Sequence, residues 1–180
     1  IDRFTQNNQH ELPAEVVARF FSVVRIKPDE IVGVFDGCGR EVVGTVTHDK
    51  QHQRAHFIKG LLRVSLPLKP AIILMQAALE ESKLTETIKR GCEIGVDKFV
   101  VFNAERSEPF CYKKAVNKQE RFMRVAQDAC RQSGRLFIPS IEYKDALAHV
   151  LRETSNETLG IFGAVDGSML LSVVLKEYAA

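Results

Sequence analysis

The sequence predicts a mixed α/β protein with a small β-rich first part and a helix-covered parallel sheet after it. Two observations carry this. Before about Leu68 the apolar residues fall in short strand-like runs around the turn Asp36-Gly37-Cys38-Gly39, a hairpin signal. From Pro70 onward strand-like and helix-like runs alternate, the pattern of β-α-β units. The change of period near Leu68 to Pro70 divides the chain into expected domains 1–68 and 69–180.

The elements follow in order. Pro13 suits a helix first turn, and residues 13–26 read as a helix with Val16, Phe20, Val23 and Val24 inward and Pro28 as its stop. Residues 30–37 and 40–49 flank the hairpin turn, and residues 55–66 read as a further strand pair. Together these form a small β-barrel or sandwich with one helix. Residues 70–78 are an uninterrupted apolar run, as in a strand covered on both faces. Ser82 is a candidate N-cap for a helix over 83–95. Residues 98–103 form the next buried strand, and 116–133 a helix closed by Gly134. Residues 136–139 read as a short strand, 143–153 as a helix, 158–164 as a strand and 169–177 as a last helix. Either the fold finishes there or the sequence is a fragment; the fragment is the expectation.

Composition sets bounds. The 180 residues are 45% hydrophobic and 27% charged, as in ordinary globular proteins. A formal charge of only +2 means that any nucleic-acid affinity must come from local charge distribution. Cys38, Cys92, Cys111 and Cys130 contain no C-x-x-C pair and read as buried, reduced thiols of a cytoplasmic protein. No apolar run approaches the ~20 residues that span a bilayer. The first ten residues carry no signal-peptide pattern.

On a helical wheel Arg121, Arg124, Arg131 and Arg135 fall on one side, with Phe122, Val125, Ala126 and Ala129 opposite. Lys113, Lys114 and Lys118 lie just upstream. Guanidinium groups so spaced bind phosphate oxygens and stack on unpaired bases; the bland alternative is a solvated face relieved by Glu120 and Asp128. The loop 103–108 follows a buried strand, where α/β proteins place functional side chains. There Arg106 can meet phosphate and Ser107 a substrate group, or Glu105 and Arg106 simply pair. His48, His52 and His56 recur every fourth residue, but in a segment that reads as strand and loop with no cysteine nearby, so no metal site is expected. His52 and His56 beside Arg54 can instead add to an RNA-facing surface. Gly160, Gly163 and Gly167 match neither a P-loop nor a dinucleotide fingerprint and read as turn glycines. No catalytic base and no nucleophile motif is visible. The residues alone reach an RNA-binding α/β protein and no reaction.

Five stretches carry a resemblance: VVRIKPDEIVGVFDGCGRE, ESKLTETIKRGCEIGV, FNAERSE, ERFMRVAQDACRQSGR and IPSI. In this order they resemble the RsmE family, the 16S ribosomal RNA (uracil-N3)-methyltransferases of the knotted SPOUT class. The resemblance implies an N-terminal PUA-like barrel that holds RNA, a C-terminal α/β domain whose trefoil knot binds S-adenosylmethionine, and a homodimer. The family's strand–helix word falls on Lys83, Thr87, Glu93, Ile94, Gly95 and Val96. Its S-E-R-S loop falls on Ala104, Glu105, Arg106 and Ser107, with Ala for the first Ser. Its E-Q-S-x-R word falls on Arg131, Gln132, Ser133 and Arg135, with Arg for Glu. In the first part its V-L-R word falls on Val23, Val24 and Arg25; the family's preceding His pair is Ala18 and Arg19 here, and Asp29 replaces its Gly. The family's G-P-E-G-G loop and later L-G-x-R-I-L-R-x-E-T-A segment do not occur, so cofactor-binding residues are expected beyond Ala180. The implied activity is methylation of N3 of a uridine in small-subunit ribosomal RNA, with Arg25, Arg106, Ser107, Arg121, Arg124, Arg131 and Arg135 as RNA contacts. The rival readings are a non-catalytic RNA- or ribosome-binding module, and an unrelated enzyme with a phosphate ligand at residues 160–167.

Overall fold

The computed structural model describes residues 8–27, 29–49, 51, 54–154, 158–163, 167 and 169–178. It comprises two compact units, Ile1–Leu147 and Ala148–Ala180. The first holds two sheets.

Strands β1 (Gln9–Glu11), β2 (Ile31–Phe35), β3 (Arg40–Asp49) and β4 (Arg54–Val64) form an antiparallel sheet in the order β1-β4-β3-β2. Among the described residues this sheet is open, with β1 and β2 at its edges, and does not close into a barrel. Alternation along β3 buries Val42 and Val46, which meet Ala55 and Phe57 of β4. The expected hairpin forms, and Asp36 organises its turn. One carboxylate oxygen accepts the Cys38 and Arg40 amides at 2.7 and 3.1 Å, and the other accepts Arg40 Nε at 2.7 Å.

Three expectations for this part need correction. The helix is α1 (Ala14–Ala18) continued by a π-helical stretch, Arg19–Val24, which ends at Arg25 in a left-handed conformation (φ 59°). Wider π turns rotate later residues off the α-helical face. Val17 is therefore the buried residue, Val16 and Phe20 are half-buried, and Val23 and Val24 are 73% and 57% exposed. Pro28 lies outside the described residues. Residues 55–66 contain one continuous strand, β4, instead of two, because its partners β1 and β3 lie on either side of it. The three-residue β1 is too short to carry a periodic signal.

The second sheet is parallel, β5 (Ile73–Ala77), β6 (Lys98–Phe102) and β7 (Ser140–Lys144), in that order. Helix α2 (Glu81–Ile94) connects β5 to β6; α3 (Pro109–Asn117) and α4 (Gln119–Ser133) connect β6 to β7. Leu84, Ile88 and Cys92 of α2 and Phe122, Ala126, Ala129 and Cys130 of α4 recur at helical spacing and close over Phe99 and Val101 of β6. Central β6 is buried on both faces, whereas β5, expected to be so, is a half-buried edge strand. Glu80, not Ser82, occupies the N-cap of α2, without a side-chain cap bond. The helix expected over 116–133 is two helices broken at Lys118 (φ −112°, ψ 20°), and the first starts earlier, at Pro109. Gly134 closes α4 in the left-handed region, as expected.

Residues 136–139 are not a strand of the parallel sheet. Phe137 bridges to Cys38 at the hairpin turn, flanked by hydrogen bonds from Gly39 N–H to Leu136 O (3.1 Å) and from Ile138 N–H to Gly37 O (2.9 Å). Strand β7 begins only at Ser140, so Tyr143 is in a strand and the next helix, α5 (Leu147–Glu153), starts later than expected. The second unit holds the rest of α5 and α6 (Leu171–Tyr178). Residues 158–163, expected as a strand, have no strand partner among the described residues, and Phe162 is 86% exposed. Cys92, Cys111 and Cys130 are buried free thiols, but Cys38 is exposed on the hairpin turn.

Gly91 sits where α2 crosses β6. A Cβ there would lie 2.5 Å from the ring of Phe99, which is 1% exposed. Alanine for glycine inside a helix ordinarily stabilises by up to about 1 kcal/mol. Here overpacking against the ring dominates, and Gly91→Ala should cost about 1–3 kcal/mol. Urea unfolding reads the sign, and a midpoint equal to or above wild type refutes it.

Candidate nucleic-acid interface

At the carboxyl end of β5 the chain turns through Ala78, Leu79 and Glu80 into α2, and beside this junction opens a cleft of about 670 Å³. Its walls are Glu80, Glu81, Ser82 and Thr85 on one side and Phe110, Lys114, Lys118 and Arg121 from α3 and α4 on the other. Leu79, Cys111, Ala115 and Phe122 add apolar surface. The break at Lys118 gives α3 and α4 separate axes, and side chains from both helices reach the same cleft. The Glu81 carboxylate receives Lys118 Nζ on one oxygen and Arg121 Nη1 on the other. Lys114 Nζ stands 4.7 Å above the Phe110 ring.

The predicted arginines do not form one surface. Arg121 joins Lys114 and Lys118 at the cleft. Arg124 is exposed, pairs with Glu120 at 3.4 Å, and borders a second cleft of about 440 Å³ over β7. The hydroxyl of Tyr143 at that cleft is enclosed without a hydrogen-bond partner among the described residues. Burial, with the nearby Tyr112, pushes its pKa up to about 12. Arg131 is exposed and pairs with Asp128 at 2.6 Å. Arg135 points inward, its side chain 14% exposed. Its guanidinium donates to Asp97 Oδ1 at 2.7 Å and to the carbonyls of Val96 (2.5 Å) and Cys92 (3.4 Å). Asp97 in turn accepts the Ile72 amide at 2.9 Å. A helix ends with unpaired carbonyls; a guanidinium fork satisfies several at once. Arg135 is thus a staple joining the end of α2 to the starts of β5 and β6.

Arg25 is exposed beyond the π-helical stretch, on a different element. Arg106 is exposed in the turn after β6, closed by Ser107 N–H to Ala104 O at 2.9 Å, with Ser107 half-buried. His48 lies on β3, stacked on Phe21 at 3.9 Å, His56 lies on β4, and His52 is outside the described residues. A Cβ at Gly160 or Gly163 would meet nothing within 4 Å among the described residues. No helix among the described residues is long and apolar enough to cross a membrane.

Sequence reasoning missed Glu81 and Phe110. Glu81 carries only the local signal of an acid in a helix first turn, and its cation partners lie far along the chain.

A parallel sheet with a cation-walled cleft at the carboxyl end of a strand defines an α/β protein with a polyanion-compatible face. The chain belongs to the family of RNA methyltransferase domains, whose family model matches residues 66–177. The resemblance read from the sequence is thus borne out. No curated protein matches the chain. Among solved structures it is similar to the ribosomal RNA small subunit methyltransferase E of Neisseria gonorrhoeae bound to S-adenosyl methionine (TM-score 0.68, 23% identity). That match covers 83% of this chain and 61% of the other. A probable rRNA-methyltransferase from Porphyromonas gingivalis matches with TM-score 0.67 and 20% identity, over 84% of this chain and 61% of its own. A predicted RNA methyltransferase of Thermotoga maritima matches with TM-score 0.56 and 18% identity, over 79% and 62%. At these identities the likeness is one of fold, and this chain spans less than two thirds of each of these proteins.

Two outcomes follow from the geometry. Arg135→Ala removes the staple and strands Asp97 and the α2 carbonyls, which should cost about 2–3 kcal/mol in urea unfolding; a loss well under about 1 kcal/mol means the staple is dispensable. The Glu81 carboxyl is held below its ordinary value of 4.5, first by the hydrogen bond from Lys118, against partial burial, and then by Arg121 and nearby lysines. Its unfolded form therefore binds protons more readily, so the contribution is complete above about pH 4.5 and is lost as pH falls through the lower folded value. Acid unfolding of wild type should be steeper there than that of Glu81→Gln, and superimposable curves refute the assignment.

Proposed function

We propose that the intact protein is an S-adenosylmethionine-dependent methyltransferase that modifies N3 of a uridine in 16S ribosomal RNA. The match of residues 66–177 to the RNA methyltransferase family carries this reading. The cation-walled cleft at the carboxyl end of β5 supports it. In this reading residues 1–68 form a PUA-like RNA-holding domain and residues 69–180 belong to a knotted SPOUT domain. The protein works as a cytoplasmic homodimer on the small ribosomal subunit.

Methylating a base nitrogen requires that one nucleotide leave its stack. The chain's share is to hold the strand on either side. Arg121, Arg124 and Arg131 along α4, Arg106 and Ser107 after β6, and Arg25 beside the first sheet are the RNA contacts in this reading. Arg135 acts indirectly by fixing α2 against β5 and β6. S-adenosylmethionine, when bound, supplies the methyl group. The cleft beside α2 does not fit it by itself. Lys114, Lys118 and Arg121 repel a sulfonium, and the Glu81 carboxylate is already neutralised. No step of the transfer is therefore assigned to them.

The test combines binding and chemistry. Protein, unmodified small-subunit ribosomal RNA and S-adenosylmethionine are incubated, and the nucleosides are resolved by mass spectrometry. The expected product is 3-methyluridine. RNA binding without methyl transfer leaves the rival reading, a non-catalytic RNA- or ribosome-binding module. Arg124→Ala with Arg131→Ala should weaken RNA binding and lower the slope of log K against log salt by about 2. An unchanged slope removes these arginines from the interface.

A further inference from the structure

The cleft between α2, α3 and α4 has three features that a merely charged RNA-facing surface does not need. It is concave, and its volume of about 670 Å³ suits a small ligand. It pairs an apolar floor and a half-exposed aromatic ring, Phe110 (49% exposed), with three cations, Lys114, Lys118 and Arg121. And one carboxylate from another element pairs with two of those cations. The last feature sets it apart from the rest of α4. There Arg124 and Arg131 pair with acids one turn away on their own helix, as exposed helices commonly do. Glu81 reaches instead across the cleft from α2, 37 positions from Lys118. A carboxylate shared by an ammonium and a guanidinium occupies the position that a phosphate takes between the same two groups.

We propose that this cleft seats a single nucleotide of the RNA, its phosphate between Lys118 and Arg121 and its base against Phe110, and that Glu81 is a resident counterion which the phosphate displaces. The proposal rests on the reading that the protein binds RNA, and names where one nucleotide beside the modified one is held. The energetics follow from exchange. In the free protein the Glu81 carboxylate keeps two cations from binding every passing phosphate. An incoming nucleotide must break both pairs, so a phosphate alone gains little, whereas one whose base also covers the Phe110 ring gains stacking of about 1–3 kcal/mol per base. Lys114, now over that ring at 4.7 Å, is free to turn toward the phosphate. The arrangement therefore selects an unstacked nucleotide over duplex backbone, whose bases are not available to the ring.

The test uses the full chain and three probes: uridine 5′-monophosphate, inorganic phosphate and a short oligouridine, titrated over a range of salt. Glu81→Gln should tighten uridine monophosphate binding roughly tenfold and steepen the salt dependence of oligouridine binding by about 1. Phe110→Ala should weaken the mononucleotide and leave inorganic phosphate unchanged. Arg121→Ala should abolish the gain when combined with Glu81→Gln. Glu120→Gln, which frees Arg124 outside the cleft, changes net charge equally and should not tighten the mononucleotide. The proposal is overturned if Glu81→Gln binds the mononucleotide no better than wild type, or if Glu120→Gln gives the same gain. Phe110 and Arg121 are surface residues, so their single variants still decide the matter if Glu81→Gln does not fold; mononucleotide affinity unaffected by both refutes the cleft. Failure of the wild-type protein to bind any RNA sinks the functional reading, whereas long RNA bound with no mononucleotide response in any variant sinks only this one.

Discussion

The contact on which the rest depends is the closure of α2 and α4 over β6. Phe99 is 1% exposed beneath α2, and Gly91 removes its side chain so that the helix can lie on that ring. Phe122, Ala126 and Ala129 bring α4 onto the same layer. Once both helices rest on one strand, the start of α2 and the start of α4 face each other, and Glu81 meets Lys118 and Arg121. Packing at native density leaves such helices few alternative positions. The charged cleft is thus a consequence of an apolar contact, and a shift of α2 on β6 would separate the ions before it exposed the core.

Arg135 and Glu81 show how one residue type serves opposite ends. Arg135 is drawn in because the last carbonyls of α2 need donors, and Asp97 supplies the compensating charge. Arg121 stays 59% exposed and keeps its guanidinium within reach of solvent. Both are bound to acids, but only the exposed pair can exchange partners at modest cost, since an exposed ion pair contributes about 0–1 kcal/mol. That difference in burial separates a fastening from a binding group. It also explains how a chain of net charge +2 can carry a local basic wall: the acids that balance it are held in pairs, and exposed charges farther apart than about 8–10 Å are screened at physiological salt.

The hairpin at Asp36 was legible because its signal is local: turn residues between two alternating runs. The class of the second half was legible for the same reason, since buried β6 and the apolar stripes of α2 and α4 each repeat within a few residues. The break at Lys118 was not, because Asn117 is only a weak local breaker and the helical pattern continues through Gln119 and Glu120. Nor was the bridge of Phe137 to Cys38, whose partners are remote in sequence. The inward turn of Val23 and Val24 failed because a π-helical stretch changes the angular step without leaving a mark in the apolar pattern.

By itself the sequence determined that this is a mixed α/β chain, that β6 and the apolar stripes of α2 and α4 lie in its core, and, through the words it shares with a family, the RNA methyltransferase domain family it belongs to. Those properties are written in periods of two and of three to four residues, which backbone geometry reads directly. Only the tertiary structure decided which arginines face the solvent, which one staples the sheet, and which acid stands between Lys118 and Arg121. The physical reason is that a charge takes its role from its neighbours in space and from its access to water, and neither is set by neighbours in the chain.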